Sequence, residues 1–110
     1  ISASVYKISS EQRRISHVAA VFANNFSNFM FSTASESCEK HQIPFDILKP
    51  LIAETFQKIE KVSPKEAQTG PARRNDKETM TAHFSYLNED QQKLYKTISE
   101  AILKSYGKEL

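Results

Sequence analysis

The absence of proline and glycine from residues 1–43 most constrains how this chain can fold. Ser9 and Gln12 have the spacing of a capping box, in which each side chain bonds the backbone N–H of the other residue. Pro44 is the first residue that resists helix continuation. The sequence therefore predicts a first helix of about thirty residues, which is long for a soluble domain of this size.

Shorter helices are predicted for the rest of the chain. Pro50 fits the fourth position of a second helix, where it removes no intrahelical hydrogen bond, and Gly107 fits C′, the position just past the C-cap of the last helix. No alternating strand pattern of useful length occurs. The sequence predicts an all-α domain with a long first helix and a bundle of shorter ones. The residues with the character of N-caps for the shorter helices are Asp46, Ser63, Asn75 or Asp76, and Asn88.

Composition excludes several classes of function. The chain has 110 residues and a net charge of +2, too small a positive charge to argue for nucleic-acid binding. Its two glycines, Gly70 and Gly107, are too few for a glycine-rich phosphate-binding loop. No histidine, cysteine and carboxylate spacing resembles a metal site. The single cysteine, Cys38, forms no internal disulfide, and we expect a cytoplasmic protein.

Residues 15–35 contain no charged side chain, although nine of these positions are polar. Three asparagines and a histidine exclude a membrane span, since they would need hydrogen-bonding partners in lipid. On a regular helix, His17, Asn24, Asn28 and Ser35 form a narrow polar stripe, and the phenylalanines lie on the other side. Two interpretations remain open: the stripe serves helix–helix or dimer contacts, or it lines a cavity for a small molecule.

The segment between the third and fourth predicted helices concentrates unusual residues. Gly70 permits a tight turn, and Arg73 and Arg74 precede a helix N-terminus, whose free N–H groups attract anions. This arrangement is suited to a carboxylate or phosphate, or it is a plain connection with Asp76 as N-cap. His83 lies two helical turns after Asp76, where it is either an oriented imidazole or an ordinary surface histidine.

Three segments together resemble a known family. The segments are HVAAVFANNF at 17–26, LKPLIAET at 48–55 and QTGPARRND at 68–76. They resemble the helical C-terminal domain of Rossmann-like NADP oxidoreductases, distant relatives of pyrroline-5-carboxylate reductase. That domain is similar in fold to the C-terminal domain of 6-phosphogluconate dehydrogenase. The resemblance covers about residues 9–106.

The resemblance implies a longer protein. An N-terminal Rossmann domain would bind most of the NADP, residues 1–8 would connect to it, and residues 9–110 would form a substrate-binding and dimerisation domain. The active site would lie in the cleft between the domains. Arg73 stands where the family has small residues, and Asn75 replaces a frequent glycine. The positions that match the family motifs are His17, Asn25, Thr69, Gly70, Pro71, Arg74, Asp76 and His83.

We therefore expect an oxidoreductase that transfers hydride between nicotinamide and a small C=O or C=N substrate. His17 is the candidate catalytic residue, as proton donor or orienting hydrogen bonder. Asn25, Thr69 and Arg74 are candidate substrate-binding residues that would share one cleft with His17. Gly70, Pro71 and Asp76 would shape the loop, and His83 is a further possible site residue.

The alternative is a non-catalytic helical dimerisation or adaptor module. Such a protein would use the exposed face of Phe22, Phe26 and Phe29 for a partner and would need no cavity. In both cases we expect a homodimer with the first helix near its centre, because this helix carries more apolar surface than four short helices can cover.

Overall fold

The computed structural model describes residues 7–107, and every regular element in that range is a helix. This confirms the predicted all-α class. The first six residues of the predicted connector lie outside the described range. The elements are α1 (Ser10–Ala20), a π-helical segment (Val21–Phe26), α2 (Ser27–Lys40), a 3-10 turn (Phe45–Leu48), α3 (Lys49–Lys61), α4 (Pro64–Ala67), α5 (Lys77–Phe84) and α6 (Glu89–Tyr106).

The predicted long first helix is confirmed, since α1, the π-helical segment and α2 follow one another without a break. Its start is the predicted capping box. The Gln12 backbone N–H donates to Ser9 Oγ over 3.0 Å, and the Ser9 backbone N–H donates to Gln12 Oε1 over 2.8 Å. The helix ends at His41, the C-cap of α2, shortly before Pro44.

The π-helical segment was not predicted, and it changes which residues share a face. Each π turn takes up one more residue than an α turn, so the helix after Phe26 is rotated by roughly 100° relative to a regular projection. The predicted polar stripe from His17 to Ser35 is therefore wrong in its second half. The same segment brings the rings of Phe22 and Phe26 into an edge-to-face contact with centroids 5.0 Å apart.

The chain forms two compact units that divide between Ile43 and Pro44. In the first unit Cys38 is buried, as expected of a packed thiol. Phe22 is 64% exposed and Phe29 is 58% exposed, and the neighbouring Ile15 and Val18 also expose more than half of their surface. The long helix therefore presents an uncovered apolar face within this chain.

In the second unit, α6 contacts both α4 and α5. The buried Tyr106 donates from its hydroxyl to the Lys65 carbonyl over 2.6 Å, which joins α6 to α4. Tyr95 packs edge-on against Phe84 of α5 with ring centroids 5.5 Å apart. Gln92 donates to the Phe84 carbonyl over 2.9 Å. These contacts hold α5 and α4 at different places along α6.

Two helix-end predictions are wrong. Asp46 is not an N-cap; it lies in the 3-10 turn and pairs with Lys49 at 2.8 Å. The α-helix instead begins at Lys49, with Pro50 in its second position. The physical reason is that an α turn would press the Pro50 ring against the Asp46 carbonyl. Gly107 is the C-cap of α6 with φ −58°, an ordinary helical value that does not require glycine.

The helical spacing of the apolar residues in α6 predicts that Ile98 and Ala101 face a core, but this is wrong, because Ile98 is 40% exposed and Ala101 is exposed. The start of α6 is as predicted, with a capping box between Asn88 and Gln91. Among the described helices, none is long and apolar enough to cross a membrane.

Candidate functional site

The loop between α4 and α5 is a tight, internally bonded turn. Gly70 adopts φ +105° and Asn75 adopts φ +54°, so both occupy the left-handed region that most side chains avoid. The Asp76 backbone N–H donates to the Pro71 carbonyl over 2.8 Å, and Ala72 is buried beneath the turn. Nothing crowds a Cβ at Gly70, so the backbone conformation is what favours glycine there.

The two loop arginines have different partners. The Arg73 guanidinium lies 4.4 Å from the centre of the Tyr106 ring, a cation–π contact that ties the loop to α6. Arg74 lies 3.8 Å from Asp76 Oδ2 and remains largely exposed. Arg73 is therefore engaged by the protein itself, whereas substrate binding by Arg74 stays a prediction.

Asp76 is the N-cap of α5, as one of the two predicted alternatives had it. Its Oδ1 accepts from the Thr79 backbone N–H over 3.1 Å, and its Oδ2 accepts from the Thr79 hydroxyl over 2.7 Å. These two bonds, with smaller contributions from the charges of Arg74 and His83, lower the pKa of Asp76. The helix N-terminus that was expected to attract an anion already holds the chain's own carboxylate.

This hydrogen bonding predicts a pH dependence of stability. Because the pKa of Asp76 is lower in the folded chain than its ordinary value of 3.8, the carboxylate stabilises the fold above that value. The stabilisation is lost as the pH falls through the lowered pKa. We expect Asp76→Asn, which keeps a cap oxygen, to reduce the loss of stability between pH of about 5 and 2. Urea unfolding across this range, compared with the original chain, tests it; identical pH profiles would contradict it.

His83 is held by Tyr95, which sequence reasoning missed. The His83 Nδ1 atom lies 2.7 Å from the Tyr95 hydroxyl, and the two rings meet edge to face with centroids 5.7 Å apart. Burial raises the pKa of Tyr95, and the Asp76 carboxylate adds to this effect, so Tyr95 stays a neutral hydroxyl. The spacing of Asp76 and His83 suggested that Asp76 orients the imidazole. In the structure the hydrogen-bond partner of the His83 imidazole is Tyr95 instead.

His17 lies exposed in the last turn of α1, and Asn25 lies exposed in the π-helical segment. His17 lines an open cavity of about 400 Å³ together with Ser10, Arg13 and Arg14. Sequence reasoning missed these arginines as site residues. Their spacing from His17, at three and four residues, was the available signal.

Thr69 and Arg74 belong to the second unit, whereas His17 and Asn25 belong to the first. Thr69 is exposed at the start of the loop, where its carbonyl accepts from the Gln68 side-chain amide over 3.0 Å. The cleft predicted to be shared by all four residues stays a prediction.

A second cavity, of about 330 Å³, lies between α5 and α6. Its walls are mainly apolar, from Met80, Phe84, Tyr95 and Leu103, with Lys77 and Lys96 among the other residues around it. Within residues 7–107, no group of histidine, cysteine and carboxylate side chains is arranged to hold a metal ion. The candidate site residues are histidine, arginine, asparagine and threonine, whose side chains can form hydrogen bonds, transfer protons and bind anions.

A comparison with known protein families shows which family this chain belongs to. Residues 1–102 match the family model described as "Domain of unknown function (DUF2520)". The chain belongs to the DUF2520 family. No curated protein sequence matches this DUF2520 domain.

Among solved structures, the DUF2520 domain is similar to the crystal structure of the putative NADP oxidoreductase BF3122 from Bacteroides fragilis. The two share 43% sequence identity with a TM-score of 0.88. The match covers 93% of the DUF2520 domain but 40% of the Bacteroides fragilis chain. This domain therefore corresponds to less than half of that protein.

Proposed function

We propose that this chain is the substrate-side helical domain of an NADP-dependent oxidoreductase that acts on a small C=O or C=N substrate. The observation that carries the proposal is the 43% identity to the Bacteroides fragilis protein over 93% of this chain. The remainder of a longer protein would bind the NADP in a Rossmann domain. The nicotinamide supplies the hydride, and the helical domain would position the substrate and exclude water.

The candidate residues divide into two groups in this proposal. His17 donates a proton or an orienting hydrogen bond to the substrate oxygen or nitrogen, and its exposure on α1 leaves the imidazole free to approach a ligand. Asn25 orients the substrate or the nicotinamide amide. Thr69 and Arg74 bind polar parts of the substrate from the loop before α5. The relationship in fold to 6-phosphogluconate dehydrogenase and the cytoplasmic location remain part of this proposal.

The uncovered apolar face of the long helix supports the proposed homodimer. Phe22 and Phe29 are each more than half exposed, and residues 15–35 carry no charge that would oppose pairing of two copies. Exposed apolar faces of this size usually mark an interface. The first helix would then lie near the two-fold axis.

The proposal predicts that this chain alone does not bind NADP(H) appreciably. A dinucleotide-binding Rossmann fold holds the pyrophosphate of the dinucleotide on a glycine-rich turn between a strand and a helix. The two glycines here, Gly70 and Gly107, supply no such turn. Isothermal titration calorimetry of the chain with NADPH should give no saturable heat. Micromolar binding would contradict the assignment of NADP binding to another domain.

The activity itself is tested on the protein encoded by the full reading frame. NADPH consumption is followed with a panel of small aldehydes, ketones and cyclic imines, with the same protein lacking residues 9–110 as the control. Substrate-dependent consumption that requires the helical domain supports the proposal. A reading frame without any upstream nucleotide-binding segment would contradict it.

The alternative function is a non-catalytic adaptor, and the exposure of Phe22, Phe26 and Phe29 is the observation that favours it. An adaptor needs this apolar face but not His17. A start codon directly before this domain would support the adaptor, because no upstream domain could then bind NADP.

A further inference from the structure

Four side chains on one face of α1 form a polar cluster outside the predicted site. Ser10, Arg13, Arg14 and His17 are separated by three, four and seven positions, which places them together along one side of the helix. They line the open cavity of about 400 Å³ described above. We call this set the α1 basic face.

The arginines of the α1 basic face differ from those of the loop. The chain has four arginines. Arg73 is stacked on Tyr106 and Arg74 is paired with Asp76. The side chains of Arg13 and Arg14, in contrast, form no ion pair or hydrogen bond with a residue in the range 7–107. Their guanidinium donors are therefore available to an external acceptor.

The surrounding sequence leaves this positive charge unbalanced. Glu11 is the single acidic residue between positions 7 and 35, against three basic ones. A solvated helix face usually pairs each arginine with a carboxylate three or four residues away. Glu11 lies three residues before Arg14 but forms no ion pair with it, and the positions four residues after the arginines are His17 and Val18. The face thus combines two free guanidinium groups, a hydroxyl and an imidazole.

We propose that the α1 basic face binds an oxyanion, a phosphate or carboxylate group, between Arg13 and Arg14. A guanidinium group holds either anion through two parallel N–H···O bonds. His17 lies one turn further along the helix, a rise of about 6 Å from Arg13. An anion bound by the arginines therefore leaves an adjoining part of the same small molecule beside the imidazole.

This inference rests on the proposed function for one step only, the identification of the bound molecule as the substrate. With that step, the substrate is a carbonyl or imine compound that also carries a phosphate or carboxylate group. Its anionic end is anchored by Arg13 and Arg14 of α1, and its carbonyl or imine group lies beside His17.

The test is a titration of this chain followed by the NMR signals of the arginine Nε–H groups. Inorganic phosphate and acetate are added in separate series, and sodium chloride of equal ionic strength is the reference. We expect saturable shifts of Arg13 and Arg14. The double variant Arg13→Gln/Arg14→Gln should weaken binding about tenfold or more, because each lost contact is a charged hydrogen bond. Lys93→Gln is the matched control, because it removes an exposed cation of α6 that pairs with Glu89, and it should leave the affinity unchanged.

Each outcome decides the proposal. Tighter binding of phosphate indicates a phosphorylated substrate, and tighter binding of acetate indicates a carboxylate. Shifts no larger than those caused by chloride, or binding that survives the double variant, overturn the site. Both substituted positions are exposed, and circular dichroism verifies that the helix is retained. Because the titration contains no NADPH, its failure is distinguishable from an absence of oxidoreductase activity in the longer protein.

Discussion

Replacing His17 with alanine should lower the turnover of the proposed longer oxidoreductase by about 100-fold or more, the usual contribution of a general acid. The same change should alter the free energy of unfolding by less than about 0.5 kcal/mol, as is usual for exposed positions. His17 is exposed in the last turn of α1, so its side chain contributes little packing. The measurements are steady-state kinetics of NADPH consumption and urea unfolding.

Two further variants separate the possible roles of His17. His17→Gln retains a hydrogen-bond donor but cannot transfer a proton at neutral pH. A rate close to the original would identify an orienting hydrogen bond, and a rate as low as that of His17→Ala would identify proton transfer. His41→Ala is the control, since that histidine caps the C-terminus of α2 and has no proposed role. An unchanged rate in His17→Ala would remove His17 from the mechanism.

The double substitution Phe22→Asp/Phe29→Asp should convert the proposed homodimer into a monomer. Both phenylalanines are more than half exposed in the single chain, so aspartate costs the monomer little. Burying carboxylates in an apolar interface is costly, and we expect the dimer dissociation constant to rise by about 1,000-fold or more. Light scattering and sedimentation velocity over the micromolar range measure this change.

The control for that experiment adds charge without removing apolar surface. Asn24→Asp introduces a carboxylate within the same π-helical segment and leaves both phenylalanines in place. It should weaken association far less than the double substitution. If the original chain is monomeric at high micromolar concentration, the proposed dimer is wrong, and the apolar face must be covered in another way.

The start of a helix was predictable wherever its capping residues lie within one turn of each other in the sequence. Ser9 with Gln12 and Asn88 with Gln91 cap their helices as predicted, and Ser63 caps α4 by accepting from the Glu66 backbone N–H over 3.2 Å. All of these bonds span three residues, so their geometry depends on the local backbone alone. The prediction for Asp46 was wrong because Pro50, four residues later, blocks the α turn.

The candidate site was less predictable because its contacts join distant parts of the chain. His83 was identified from a motif, but its partner Tyr95 lies twelve residues away on another helix. Arg73 and Arg74 are adjacent in sequence, yet one contacts Tyr106 and the other Asp76. The sequence left open whether these arginines bind an anion or are solvated, because it carries no information on which side chains surround them.

The sequence by itself determined that this chain is all-helical, that its first helix runs to the residues before Pro44, and that Gly70 and Asp76 shape the turn before α5. Proline, glycine and capping side chains act within one turn of backbone, so these results follow from the order of residues alone. Only the tertiary structure decided that Tyr95 holds His83, that Arg73 contacts Tyr106 while Arg74 pairs with Asp76, and that Arg13 and Arg14 have no such partner among residues 7–107. Those outcomes depend on which helices pack against each other, because a side chain is free for a ligand only when no folded neighbour has taken its hydrogen bonds.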